Sequence, residues 1–144
     1  MDAESAWQYL TQTRGIAPAH IVLFGELLGA APVAARHQPG ALVLASGFDL
    51  AADLYPFLPA RWLAHFRYDP RRTLQDVRAP VLVAHSREDE IIPYKHGVAL
   101  YDAVPGPRQF LDLRGGHNDL FFTNSDVFAQ GVGDFVQRHL AQSR

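Results

Sequence analysis

The chain has 144 residues, 48% hydrophobic and 19% charged, with a formal net charge of −2 and no cysteine. That length suits one domain with a single sizeable core, and the balance excludes a disulfide framework, a thiolate metal site and a basic surface for nucleic acid. The acidic start Met1-Asp2-Ala3-Glu4 is unlike a secretory signal, and no apolar run approaches the ~18 residues that cross a membrane, so a cytoplasmic protein is expected.

Residues 2–14 place Ala3, Ala6, Trp7 and Leu10 at helical spacing, with Asp2 as N-cap and Gly15 as stop. Ile21–Phe24 reads as a short parallel strand buried on both faces. An alanine-rich helix follows over about 28–37, in which Pro32, one turn in, is expected to remove a backbone hydrogen bond and kink the axis. Ala41–Ala45 and Pro80–Ala84 read as two further buried strands, and Arg108–Leu113 as a fourth, more amphipathic one. Helices are expected at 95–103 and 126–141. The latter would put Val127, Phe128, Val132, Phe135, Val136 and Leu140 on one face, with Asn124 or Ser125 as cap.

Strands alternating with helices predict an α/β fold of three layers, α/β/α, with a mainly parallel sheet of about four strands and right-handed crossovers. One domain is expected over residues 1–144. The stretch 47–76, rich in aromatics and proline, leaves a strand's carboxyl end. It reads either as a lid or acyl pocket over the ligand crevice or as a helix pair packed for burial.

Between the first strand and its helix, Gly25-Glu26-Leu27-Leu28-Gly29 has the Gly-x-x-x-Gly spacing of a nucleophile elbow. Leu27 holds the central place, and an aliphatic side chain has no lone pair to attack a carbonyl. Asp89, in His85-Ser86-Arg87-Glu88-Asp89-Glu90-Ile91-Ile92-Pro93, stands beyond the third strand. His117, in Gly115-Gly116-His117-Asn118-Asp119, stands beyond the fourth.

In this order the three loops resemble those of the α/β-hydrolase superfamily. The chain is most similar to the C-terminal half of a serine esterase, thioesterase or peptidase-like member. In that branch the elbow often reads Gly-Arg-Ser-Leu-Gly-Gly, the acid loop His-Ser-x-x-Asp-x-x-Ile-Pro and the histidine loop Gly-Gly-His-Asn. The resemblance implies Asp89 as triad acid, His117 as general base, Leu27 in the nucleophile's place and the Leu28 N–H as half of an oxyanion hole. Two departures weigh against transfer of the activity: the missing serine, and the absence of the N-terminal strands whose loop supplies the second oxyanion N–H. Losing a triad serine costs roughly 10^6-fold in kcat, and losing one oxyanion donor roughly 10^2–10^3.

The expectation is therefore a truncated, hydrolase-derived, non-catalytic domain with a relic Asp89/His117 pair, acting in oligomer assembly or small-ligand binding. The alternative is an active carboxylester or thioester hydrolase with an unorthodox or partner-supplied nucleophile. Glu26 is one residue early for that role, and its side chain is expected to point elsewhere; Ser46 and Ser86 more often satisfy loop backbone. No cofactor is expected. His85 and Asp89, four apart, lack a third metal ligand, and His20, His37, His65, His96 and His139 read as solvated or helix-end residues. A strand at 21–24 without its N-terminal neighbours would be an unblunted edge. That predicts a homodimer, or pairing with another chain, through strand 21–24 and Leu27/Leu28, two four-stranded sheets joining into one of eight. A small apolar ligand is the other expected partner.

Overall fold

Ala41-Leu42-Val43-Leu44-Ala45 offers solvent no polar side chain, and it forms a strand, β2 (Ala41–Ala45), buried on both faces. The computed structural model describes residues 3–26, 30–46 and 69–140, and β2 lies inside its sheet. Its neighbours are β1 (Val22–Glu26) and β3 (Val81–Ser86), with β4 (Arg108–Leu113) beyond β3. All pairings are parallel, in register Leu23↔Leu42, Leu42↔Val81 and Val81↔Arg108.

Alternation along the strands sends side chains to two helical layers. Leu42, Leu44, Val81 and Val83 pack with Ala34 of α2 (Ala31–His37), Leu74 of α3 (Pro70–Gln75) and Leu100 of α4 (Tyr94–Ala103). On the other face, Ala41, Val43 and Leu82 meet Phe135 of α6 (Ser125–Leu140). The short α5 (Leu120–Thr123) precedes α6, and Leu120 closes a third cluster with Ala45, Ala84 and Leu113. At the amino end, α1 (Ala3–Gln8) runs into a π-helical turn, Tyr9–Thr13, and its Trp7 packs on Ile21 and Val33 and stacks on His37 at 4.9 Å. The three-layer α/β/α architecture is the expected one. Among the described residues, no helix is long and apolar enough to cross a membrane.

Several local expectations are corrected. The first strand is shifted to Val22–Glu26, and it is not buried on both faces: Val22 and Leu23 are half-buried and Phe24 is 50% exposed. Its position at the sheet's edge is the reason, since among the described residues it pairs with β2 alone. Pro32 removes no hydrogen bond from α2, because the helix begins at Ala31 and a first-turn N–H has no intrahelical acceptor to lose. Val127 leaves the packed face of α6 and is 52% exposed. Residues 70–75 of the irregular stretch form α3, capped by Asp69, whose Oδ1 accepts the Arg72 N–H at 3.2 Å; residues 47–68 lie outside the described residues. His96 is no solvated helix-end residue but is buried at 3% exposure within α4.

Candidate functional site

Parallel pairing puts the carboxyl ends of all four strands along one edge of the sheet. Each ends beside a residue of interest: Glu26 at the end of β1, Ser46 after β2, the loop 87–93 after β3 and the loop 114–119 after β4. This is the edge at which open α/β sheets bind ligands.

Asp89 sits in the β3 loop with its side chain fully buried. Its Oδ1 accepts two backbone N–H groups, from Ile91 at 3.0 Å and Ile92 at 2.7 Å. Its Oδ2 lies 2.8 Å from His117 Nδ1. A carboxylate with only acceptor capacity fixes the proton on Nδ1, so a neutral His117 ring carries its lone pair on Nε2.

Three consecutive acidic residues reach the histidine loop. Glu88 Oε2 accepts the Gly115 N–H at 2.7 Å, Asp89 takes the ring, and Glu90 Oε2 accepts the His117 N–H at 3.0 Å. From the other side the buried Asn124 closes the same loop. Its Oδ1 accepts from Arg114 N–H at 2.9 Å, and its Nδ2 donates to the carbonyls of Arg114 at 2.6 Å and Leu120 at 2.7 Å. Gly115, at φ 88°, makes the turn these bonds hold.

Behind Asp89 lies a second imidazole. His85 is fully buried, and its Nε2 donates to the Ile92 carbonyl at 2.8 Å, while Asp89 Oδ2 stands farther off at 3.7 Å. Since a carbonyl only accepts, Nε2 carries the proton, and buried Nδ1 is left without a partner. Burial, above all, pushes the His85 pKa below its ordinary value of 6.5, the hydrogen bond to the Ile92 carbonyl and then the nearby Asp89 charge opposing this only in part.

His117 lines a small cavity of about 50 Å³ with Glu26, Ser46, Leu120 and Phe121. Ser46 is 5% exposed, its Oγ has no hydrogen-bond partner, and it sits at φ 50°, in the left-handed region. A larger open depression, about 620 Å³, is lined by Asp69, Arg72, Gln75 and Asp102 among others, and shares no residue with this site.

Among the sequence-derived candidates, the structure thus brings together Asp89 and His117, and adds Glu26 and Ser46 to the same cavity. Glu26, expected to point away from the site, ends β1 and is among the residues that line this cavity. Ser86 has the loop role: its hydroxyl donates to the Gly115 carbonyl at 2.6 Å and accepts the Glu88 N–H at 3.1 Å. Leu27 and Leu28 lie outside the described residues. Residues on either side of 27–29 are described, and at Gly25 an added Cβ would stand 2.5 Å from Ala30 Cβ, so strand end and helix start are closely apposed there. Among the described residues, no group of three or more His, Asp or Glu is arranged to hold a metal ion.

No protein-family model matches the chain. An uncharacterised protein of Mycobacterium tuberculosis is 34% identical over 143 residues, covering 94% of this chain and 51% of the relative. Human alpha/beta hydrolase domain-containing protein 17C is 33% identical over 160 residues, covering 99% of this chain and 44% of the relative. The esterase domain of a Rhodothermus marinus protein matches with a TM-score of 0.72 at 20% identity, over 95% of this chain and 67% of that one. The chain belongs to the α/β-hydrolase superfamily. It spans about half the length of the curated relatives it matches. The esterase likeness, at 20% identity, is one of α/β-hydrolase fold alone.

Proposed function

We propose that this α/β-hydrolase domain is non-catalytic at its elbow, retains Asp89 and His117 as a relic acid/base pair, and binds a small ligand in the cavity beside them. One observation carries the reading: the pair is formed at 2.8 Å while the elbow sequence Gly25–Gly29 holds Leu27 where a hydrolase needs its nucleophile. A general base without a hydroxyl or thiol to deprotonate at that place has no first step to catalyse. The Leu28 N–H, at the family's oxyanion position, would then serve no tetrahedral intermediate.

Labelling with a fluorophosphonate probe, alongside turnover of p-nitrophenyl acetate, tests this. No labelling and no turnover above the rate of His117→Ala is expected. Robust turnover abolished by His117→Ala would overturn it.

A second reading, an active hydrolase with an unorthodox nucleophile, is favoured by one feature, the buried and unbonded Ser46 hydroxyl in the cavity of His117. Labelling that maps to Ser46 and disappears in Ser46→Ala would establish it.

For assembly, the reading is a homodimer formed through β1. This strand lies at the sheet edge among the described residues, and beside it Phe24, Phe121 and Phe128 form an aromatic cluster of which Phe24 is 50% exposed. Light scattering coupled to size exclusion is expected to give twice the chain mass, reduced to one mass by Phe24→Asp. A stable monomer of the unaltered chain at micromolar concentration sinks the dimer and leaves the ligand-binding reading standing.

A further inference from the structure

Two features of Ser46 work against the folded state. Its buried hydroxyl makes no hydrogen bond, so its desolvation is uncompensated, and its φ of 50° adds the strain that side chains with a Cβ meet in the left-handed region. Both fall on a residue that lines the cavity of His117. Unused hydrogen-bonding capacity combined with backbone strain at a cavity wall marks a group held ready for something that enters.

The chemistry of the wall selects what enters. With Nδ1–H committed to Asp89, a neutral His117 offers only an acceptor at Nε2. The Glu26 carboxylate is acceptor-only and negative, and no cation pairs with it among the described residues. The Ser46 hydroxyl both donates and accepts. Leu120 and Phe121 add apolar surface, Phe121 offering a ring to a cation. An anion would meet Glu26 and find one side-chain donor among the described residues, whereas a group with several N–H donors and a positive charge would satisfy all three polar residues. The volume of about 50 Å³ admits a group of ammonium size rather than a bulky acyl chain.

We propose that the cavity formed by Glu26, Ser46 and His117 binds a primary ammonium group, as the polar end of a small amine ligand. The proposal rests on the ligand-binding reading above and narrows it to a chemical class. It also departs from the apolar ligand expected from sequence.

The test is a titration of the isotope-labelled full chain with ethylammonium chloride, sodium acetate and ethanol at matched ionic strength, followed by NMR. Ethylammonium is expected to give saturable shifts at Glu26, Ser46 and His117, weakened about tenfold by Glu26→Gln and by Ser46→Ala, each of which removes one charged or polar partner. Acetate is expected to give none. Ser46→Ala removes an unsatisfied hydroxyl, so its fold is expected to survive and its denaturation midpoint serves as the control. Saturation by acetate or ethanol instead of ethylammonium overturns the ammonium assignment and leaves the ligand-binding reading intact. Absence of saturation by ethylammonium up to about 100 mM, the weak end of specific affinity, overturns it as well. His117-dependent ester turnover in the same sample defeats the underlying reading.

Discussion

The His85 ring lies against Gly97 of α4, where an added Cβ would approach its Cγ and Nδ1 to 2.8 Å. The ring is fully buried between β3 and this helix, so it has nowhere to retreat. Gly97→Ala is expected to lower stability by about 1–3 kcal/mol through overpacking, read as a lower urea midpoint at unchanged slope. An unchanged midpoint would mean that the helix shifts without cost.

The same ring sets a pH dependence. His85 resists protonation in the folded state because burial lowers its pKa, whereas in the unfolded chain it takes up a proton near 6.5. Above that value both states hold it neutral and it contributes nothing. As pH falls below about 6.5 the unfolded state binds the extra proton, so stability falls. His139, also lowered chiefly by burial, acts in the same direction. Urea midpoints measured from pH 7.5 to 5 are expected to decline, and less steeply in His85→Asn.

Asn124 ties the start of the histidine loop to α5 through three hydrogen bonds made by a buried amide. Truncation in Asn124→Ala leaves the Arg114 N–H and two carbonyls without these partners, at a cost of about 1–3 kcal/mol. Hydrogen exchange at residues 114–120 is expected to quicken more than in β2. Equal acceleration in both would indicate global destabilisation only.

Ser46→Gly is expected to act in the opposite sense. Glycine enters the left-handed region without a Cβ clash and carries no hydroxyl to leave unsatisfied, so a gain of about 1 kcal/mol is expected in thermal or urea unfolding. A loss of stability would show that the Ser46 hydroxyl has a partner in solution.

Asp89→Ala removes three accepted hydrogen bonds at once, those from Ile91, Ile92 and His117. Hydrogen bonds to a charged group are worth about 1.5–3 kcal/mol each, and the three meet on one carboxylate and are not additive, so a loss near the upper end of that range is the expectation. The downfield proton resonance of His117 Nδ1–H should vanish with it.

What the sequence made legible follows from which interactions are local. β2 and β4 are bounded as read, since Ala41–Ala45 is wholly apolar and Arg108–Leu113 is preceded by Gly106-Pro107. The joining of Asp89 and His117 was also readable, through a shared motif order. The burial of His85 and His96 was not, because hydrogen bonds and the space at Gly97 are tertiary facts that no periodicity carries. Nor was the cavity role of Glu26, which depends on where β1 ends relative to the neighbouring strands. The acidic run 88–90 was visible, but its three separate targets on 115–117 required the fold.

That run has a consequence for how such a domain ages. Glu88, Asp89 and Glu90 rivet two loops together, and each rivet lowers the free energy of the native state whether or not a reaction takes place between them. A lineage that loses its nucleophile is thereby free of one constraint and still bound by the other. Drift at Asp89 or His117 would be purged as a folding defect long after it ceased to be a catalytic one. In this architecture an acid–histidine couple is held in place by stability as well as by any chemistry, so its survival alone is poor evidence of a living enzyme.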